Sequence, residues 1–132
     1  MKKLQNFVNG KLVDSSSGET TTLINPATGE AFATAPNSNA ADVDKAMSAA
    51  ASAFTEWRDS TPSERQRALL KIADAIESRA DEIIAIESEN CGKPIGLTTS
   101  EEVPPMIDQI RFFAGAARNL EGKSAGEYMK GM

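Results

Sequence analysis

Thr61-Pro62-Ser63-Glu64-Arg65-Gln66-Arg67-Ala68-Leu69-Leu70-Lys71-Ile72-Ala73-Asp74-Ala75-Ile76 carries the signals of a helix start and the body that follows it. Thr61 is a good N-cap. Pro62 suits the first helical position, where an N–H has no intrahelical acceptor. Glu64 completes a capping box. Leu69, Leu70, Ile72, Ala73 and Ile76 supply the apolar side chains. Just upstream, Asn39 with Asp42 caps another helix, from about Ala40 to Arg58. Its apolar positions are Val43, Ala46, Met47, Ala50, Phe54 and Trp57, which is helical spacing. Downstream, Ile83, Ile84 and Ile86 mark a third helix over about Ala80–Glu89. It stops near Gly92, and Pro94 reinforces the stop. A last helix starts between Ser100 and Pro104 and runs to about Leu120, with Val103, Ile107, Ile110, Ala114 and Ala117 on one stripe. Pro104 and Pro105 are tolerable there only in a first turn, which has no internal partners for its N–H groups.

The first third of the chain has a different grammar. Phe7-Val8 and Leu12-Val13 flank Asn9-Gly10-Lys11, and Asn-Gly between short apolar runs signals a tight hairpin. Asp14 to Glu19 reads as a loop, and Thr20 to Ile24, rich in β-branched residues, as a strand. Asn25-Pro26-Ala27-Thr28-Gly29 makes a turn, and Glu30 to Ala35 a further strand. Strands and hairpins therefore occupy residues 1–36, and about four helices follow.

The bulk properties exclude several functions. The chain has 132 residues, 40% hydrophobic and 25% charged, with a net charge of −5. Its basic residues are dispersed, so no basic face for nucleic acid or an anionic membrane is expected. No apolar run approaches the roughly 18 residues of a membrane span. Met1 to Asn6 is basic without an apolar core behind it, which is no signal peptide. A cytoplasmic protein is expected. There is no histidine and one cysteine, Cys91, so an internal disulfide, a Ser-His-Asp triad and a zinc site all lack their parts.

The remaining motifs are weighed against plainer alternatives. Cys91-Gly92-Lys93 lacks the earlier glycine of a phosphate loop, and Pro94 stands where Ser or Thr is needed, so it reads as a helix stop. Cys91 sits at a helix C-terminus, where the dipole disfavours a thiolate, and reads as a buried, inert thiol. Glu101-Glu102 with Asp108 reads as helix-start charge before it reads as an acid–base pair. Trp57 reads as a core or interface anchor, and the Lys and Arg of the second helix as a solvated face. No glycine-rich strand–turn–helix for a dinucleotide is present. The residues alone thus describe an acidic α+β unit with no complete active site.

Four segments in order resemble the aldehyde dehydrogenase superfamily. They are Phe7-Val8-Asn9-Gly10-Lys11 with Ile24-Asn25-Pro26-Ala27-Thr28-Gly29; Ala53-Phe54-Thr55-Glu56-Trp57 with Arg65 and Leu69; Glu89-Asn90-Cys91-Gly92-Lys93-Pro94; and Arg111-Phe112-Phe113-Ala114-Gly115-Ala116-Ala117 with Leu120-Glu121-Gly122. Asn90-Cys91-Gly92-Lys93-Pro94, Glu102-Val103-Pro104 and Gly126-Glu127-Tyr128 are most similar to the γ-aminobutyraldehyde (1-pyrroline) and betaine aldehyde dehydrogenases. The resemblance implies an α/β fold of which this chain is an incomplete N-terminal piece. Residues 37–121 would be the helical part of the NAD-binding domain, and 122–132 a linker towards the cofactor-binding strands.

The resemblance also implies an activity. Such enzymes oxidise an aldehyde to the acid: a cysteine thiolate attacks the carbonyl, hydride passes to NAD, and a glutamate activates water. Those groups and the NAD site are expected downstream, so no catalytic and no cofactor-binding residue is assigned here, and the piece is expected to be inactive alone. Cys91 does not match the family's nucleophile motif. Two lesser roles transfer. A monovalent cation would be held by the backbone carbonyls of Leu23 and Ile24 and by Asn90, where many relatives carry Asp. Glu102 and Pro105 would border the substrate tunnel, where an acidic group suits the ammonium of an aminoaldehyde such as 4-aminobutanal. A homo-oligomer acting on a small-molecule aldehyde is expected. The alternative is a non-catalytic truncated paralogue that docks on a full-length subunit.

Overall fold

The computed structural model describes residues 1–119. The expected linker over 122–132 lies outside the described residues.

Asn9 and Gly10 both adopt positive φ, 50° and 76°. That is the backbone of the tightest hairpin turn, and it matches the twist of the strands it joins. It links β2 (Asn6–Val8) to β3 (Lys11–Val13), an antiparallel pair with Phe7 opposite Leu12. The turn after β4 (Thr20–Ile24) forms as expected. The Asn25 side chain accepts from the N–H of Ala27, and its carbonyl accepts from Gly29, which has φ 74°. The chain then returns as β5 (Ala31–Pro36), antiparallel to β4, with a register shift between Leu23 and Ile24. One strand had no sequence signal. β1 (Lys2–Lys3) adds to β5 in parallel, giving a three-stranded sheet of order β1-β5-β4. Two residues are too few for any periodicity, and their partner lies some thirty residues away.

Four helical stretches follow. α1 (Ala40–Arg58) starts with a reciprocal box, in which Asn39 Oδ1 accepts from the N–H of Asp42 and the Asp42 carboxylate accepts from the N–H of Asn39, both at 3.1 Å. α2 (Pro62–Ser78) repeats the device with Thr61 and Glu64, at 2.7 and 3.3 Å. α3 (Ala80–Cys91) ends at Gly92, whose φ is 72°.

What precedes the last helix is unexpected: α4 (Ile95–Leu97) and a π-helical turn, Thr98–Glu102, run straight into it. That helix, α5 (Val103–Ala116), starts within the expected bounds and ends short of the expected Leu120. Pro104 and Pro105 therefore lie inside a continuous helical run. In a regular α-helix their rings would press on the carbonyls four residues back, at Ser100 and Glu101. The wider turn, with the Val103 N–H reaching the Thr98 carbonyl, accommodates them. Three hydroxyls brace it by bonding back four residues: Thr98 to Pro94 O, Thr99 to Ile95 O and Ser100 to Gly96 O, at 3.1, 2.8 and 3.1 Å.

The chain falls into two units. One comprises Met1–Asp59 with Asn90–Gly92, the other Ser60–Glu89 and the described residues from Lys93. In the second unit Ala73 of α2, Ile84 of α3, and Val103 and Ile107 of α5 form the buried cluster, with Ile76, Ala80 and Ile110 against it. α5 lies along α2, and Arg111 fixes that pairing by donating to Asp74 and Glu77 at 2.9 and 2.6 Å. In the first unit Ala33 of β5 is fully buried and α1 rests against β2.

Candidate functional site

The residues expected to hold a monovalent cation all belong to the first unit. Leu23 and Ile24 close β4 at the register shift, and Asn90 lies in the last turn of α3. Gly92 links the two places. A Cβ there would come within 2.9 Å of Pro26 Cγ, so the chain leaving Asn90 runs directly against the turn leaving Ile24. Only glycine satisfies both this approach and the positive φ. Asn90 is exposed, and its amide donates to Cys91 Sγ at 3.5 Å. Two main-chain carbonyls and an amide oxygen are neutral, hard donors. They suit a weakly held cation such as potassium or sodium and not a thiophilic metal. Among the described residues no group of three or more His, Cys, Asp or Glu side chains could hold a metal.

Glu102 and Pro105 sit on the other unit, at the π-helical turn and in the first turn of α5. Pro105 is exposed and Glu102 half-buried. The Glu102 carboxylate accepts from Lys93 Nζ at 2.6 Å, and Lys93 also pairs with Glu87 at 3.0 Å. Glu102 does stand at the start of α5, as expected, but its carboxylate makes no cap bond to the helix end and answers a lysine instead. The hydrogen bonds that the Lys93 ammonium donates to Glu102 and then to Glu87 outweigh the cost of desolvation and hold it above the ordinary lysine pKa. Lys93 stays charged at any physiological pH. Asp108 is exposed and, among the described residues, takes no part in this cluster, so the structure does not assemble Glu101, Glu102 and Asp108 into an acid–base group.

Sequence reading dismissed Lys93 together with the phosphate-loop motif and took Glu87 only as the residue standing where that loop needs glycine. Lys93 is separated from Glu87 by the Gly92 break and from Glu102 by Pro94 and a π-turn. No helical periodicity runs across those interruptions, so none of the spacings that mark helix-surface pairs was available.

Three further expectations need correction. Cys91 is exposed, not buried, because α3 ends there and the next residue turns away. Arg65 is half-buried and donates to the Ser60 carbonyl, so α2's basic residues are not wholly a solvated face. Trp57 is 50% exposed and α1 buries none of its residues, which leaves the interface-anchor reading of Trp57 and removes the core one. Among the described residues no helix is long and apolar enough to cross a membrane.

The sequence profile described as "Aldehyde dehydrogenase family" matches residues 12–131. "Putative aldehyde dehydrogenase DhaS" of Bacillus subtilis (strain 168) is 42% identical over 125 residues, covering 93% of this chain and 25% of that protein. Among solved structures, an NAD-dependent aldehyde dehydrogenase from Sinorhizobium meliloti superposes with a TM-score of 0.86 at 39% identity, over 93% of this chain and 25% of that one. PnpE in complex with nicotinamide adenine dinucleotide gives 0.88 at 35% identity, over 94% and 26%. The chain spans about a quarter of the length of the relatives it matches.

Proposed function

The chain belongs to the aldehyde dehydrogenase family, and from that premise we propose that it is the N-terminal part of an NAD-dependent enzyme that oxidises an aldehyde to the acid. The observation that carries this reading is the joint likeness in fold and sequence to an NAD-dependent member over nearly the whole chain. The described residues include no glycine-rich turn between a strand and a helix, so no step of hydride transfer is derived from them. The NAD site, the nucleophile and the water-activating glutamate belong, in this reading, to the portion of the family fold beyond this quarter. This quarter supplies support in two units, one with the sheet and α1, the other with the α2–α5 pair and its π-turn. Leu23, Ile24 and Asn90 are the proposed holders of a structural monovalent cation.

The substrate we propose is an aminoaldehyde such as 4-aminobutanal, handled by a cytoplasmic homo-oligomer. Asn90-Cys91-Gly92-Lys93-Pro94 and Glu102-Val103-Pro104 support that choice, with Glu102 and Pro105 bordering the path of the aldehyde. The test has two steps. The mass of the native polypeptide is measured after capture from its source cells with an antibody to this segment; a product several times heavier than 14.0 kDa is expected. That product, given NAD and 4-aminobutanal, should form NADH, and the 132-residue chain alone should not. A native product of 14.0 kDa, or turnover by the short chain, overturns the reading.

One observation favours a second reading, a truncated subunit that docks on an intact one. Val43, Met47, Phe54 and Trp57 of α1 are 53%, 64%, 58% and 50% exposed, more apolar surface than a lone helix face usually shows to water. Co-purification of a 14.0 kDa chain with an intact dehydrogenase would support it.

A further inference from the structure

The β2–β3 hairpin has little to hold it closed. It is a two-stranded sheet with three residues in each strand, and β3 pairs with β2 alone. Every residue of β3 is exposed, and the cross-strand pair Phe7 and Leu12 is 72% and 65% exposed. A lone hairpin of this kind is marginally stable in water, so it opens often. Its turn holds the one Asn-Gly pair in the chain. Both residues are exposed, and a Cβ on Gly10 would meet nothing within 4 Å. Among the described residues the Asn9 side chain has no hydrogen-bond partner.

An asparagine amide is a labile group. Its Cγ can be attacked by the backbone nitrogen of the next residue, closing a five-membered ring, and glycine leaves that nitrogen unshielded. The closed turn resists this, because the ring needs a rotation about the Asn9 Cα–C bond that the paired strands oppose. The open hairpin does not. Other asparagines are worse placed. Asn6, Asn37 and Asn39 have side-chain amides bonded to Ser38, Glu19 and Ser16. Asn25 is followed by a proline, which has no N–H to give up.

We propose that Asn9-Gly10 is a self-modification site that ends by locking the hairpin open. Hydroxide removes the Gly10 N–H proton, the nitrogen bonds to Asn9 Cγ, and the Cγ–Nδ2 bond breaks with loss of ammonia. Water then opens the ring. Cleavage at Cγ leaves aspartate at position 9. Cleavage at the backbone carbonyl leaves the chain running through the side-chain carbon, with one extra atom in its path. A two-residue loop sets the Val8–Lys11 register by its length, so the extra atom cannot be accommodated. The inference does not depend on the functional reading above.

The experiment ages the native polypeptide that carries this segment at physiological temperature and pH. After trypsin digestion the peptide of residues 4–11 should gain about one dalton, NH2 replaced by OH, and split into two peaks of equal mass. It should change faster than any other asparagine peptide. Its rate should rise in proportion to hydroxide, and should lie within about tenfold of the rate in urea, since the hairpin is only marginally closed. Asn9→Gln, which would need a six-membered ring, should remove the product. Brief trypsin treatment of the folded protein should cut after Lys11 faster in aged than in fresh wild type, a comparison that stands even if Asn9→Gln does not fold. An Asn9 that reacts in urea but not in the native protein overturns the proposal. So does another asparagine reacting as fast, or aged chains cut no faster after Lys11.

Discussion

α1 and α2 start alike and end in opposite circumstances. Each is opened by a reciprocal capping box, and each carries apolar residues at helical spacing over 19 and 17 residues. α2 lies along α5 and buries Ala73 completely, and its unit contains the described cluster of Ala73, Ile84, Val103 and Ile107. α1 buries nothing, and four of its largest apolar side chains stay at least half exposed. The difference teaches that helix formation and helix burial answer to different causes. A capping box and a spaced stripe are local, so both helices form. Burial needs an extensive opposing surface, which α5 offers α2, whereas the short β2 against α1 leaves its stripe uncovered among the described residues. An apolar stripe without a cover is what a chain spanning a quarter of its relatives' length would show if the rest of the fold supplied the cover.

Truncating the two stripes should break the symmetry most sharply. Ile107 is 6% exposed inside the α2–α5 cluster, so Ile107→Ala should cost about 2–5 kcal/mol in urea unfolding of the chain, or abolish the cooperative transition. Met47, 64% exposed on α1, should cost no more than about 0.5 kcal/mol when cut to Ala. Equal losses would mean α1 finds a partner for its stripe in solution. The same pair of variants in a full-length dehydrogenase should converge, because there the proposed cover is present.

The caps should show the opposite pattern, a smaller effect that is equal in the two helices. Thr61→Ala and Asn39→Ala each remove one side-chain acceptor for an N–H in the first turn, worth about 1 kcal/mol. Helix content near 222 nm and the unfolding midpoint should respond alike. A much larger loss at Asn39 would mean that its bonds to the serine loop, through Ser16 at 3.1 Å, matter more than the cap.

How much of this was legible follows from the same division. The Asn9-Gly10 turn, the Asn25 to Gly29 turn and both capping boxes were readable because each is a contract between residues at most four apart. β1 was not, since its partner β5 is remote in sequence. Pro104 and Pro105 marked the start of α5, but α4 and the π-turn that lead into it were not readable, because a π-turn has no signature of its own. At the site, Glu102 was found and its partner Lys93 was not. The closeness of Gly92 to Pro26, which brings Asn90 towards the end of β4, is a contact between residues far apart in sequence that no local pattern encodes.

The smallest effect is a matter of pH, and it separates the two helices once more. Burial alone would raise the Asp42 carboxyl pKa, but bonds from the Asn39 N–H, from Ser16 and from the Ser15 hydroxyl outweigh it and bring the value to about 2. The folded form therefore prefers the ionised group. Its contribution is fully present above the ordinary value of 3.8 and is lost as pH falls through about 2. On α2 the corresponding acid is Glu77, lowered by its hydrogen bond and charge interaction with Arg111, an exposed ion pair. Salt at about 1 M should erase most of the Glu77 contribution, since exposed pairs are screened over about 3 Å at that strength. It should leave most of the Asp42 contribution, which is made of hydrogen bonds to neutral donors at 3.0–3.2 Å. Acid unfolding of wild type and Asp42→Asn, each at low and high salt, reads this directly. The variant should lose the salt-resistant part of the acid transition. If instead high salt removes the whole difference between them, Asp42 acts as a point charge near α1 and not as the hub that ties the serine loop to its first turn.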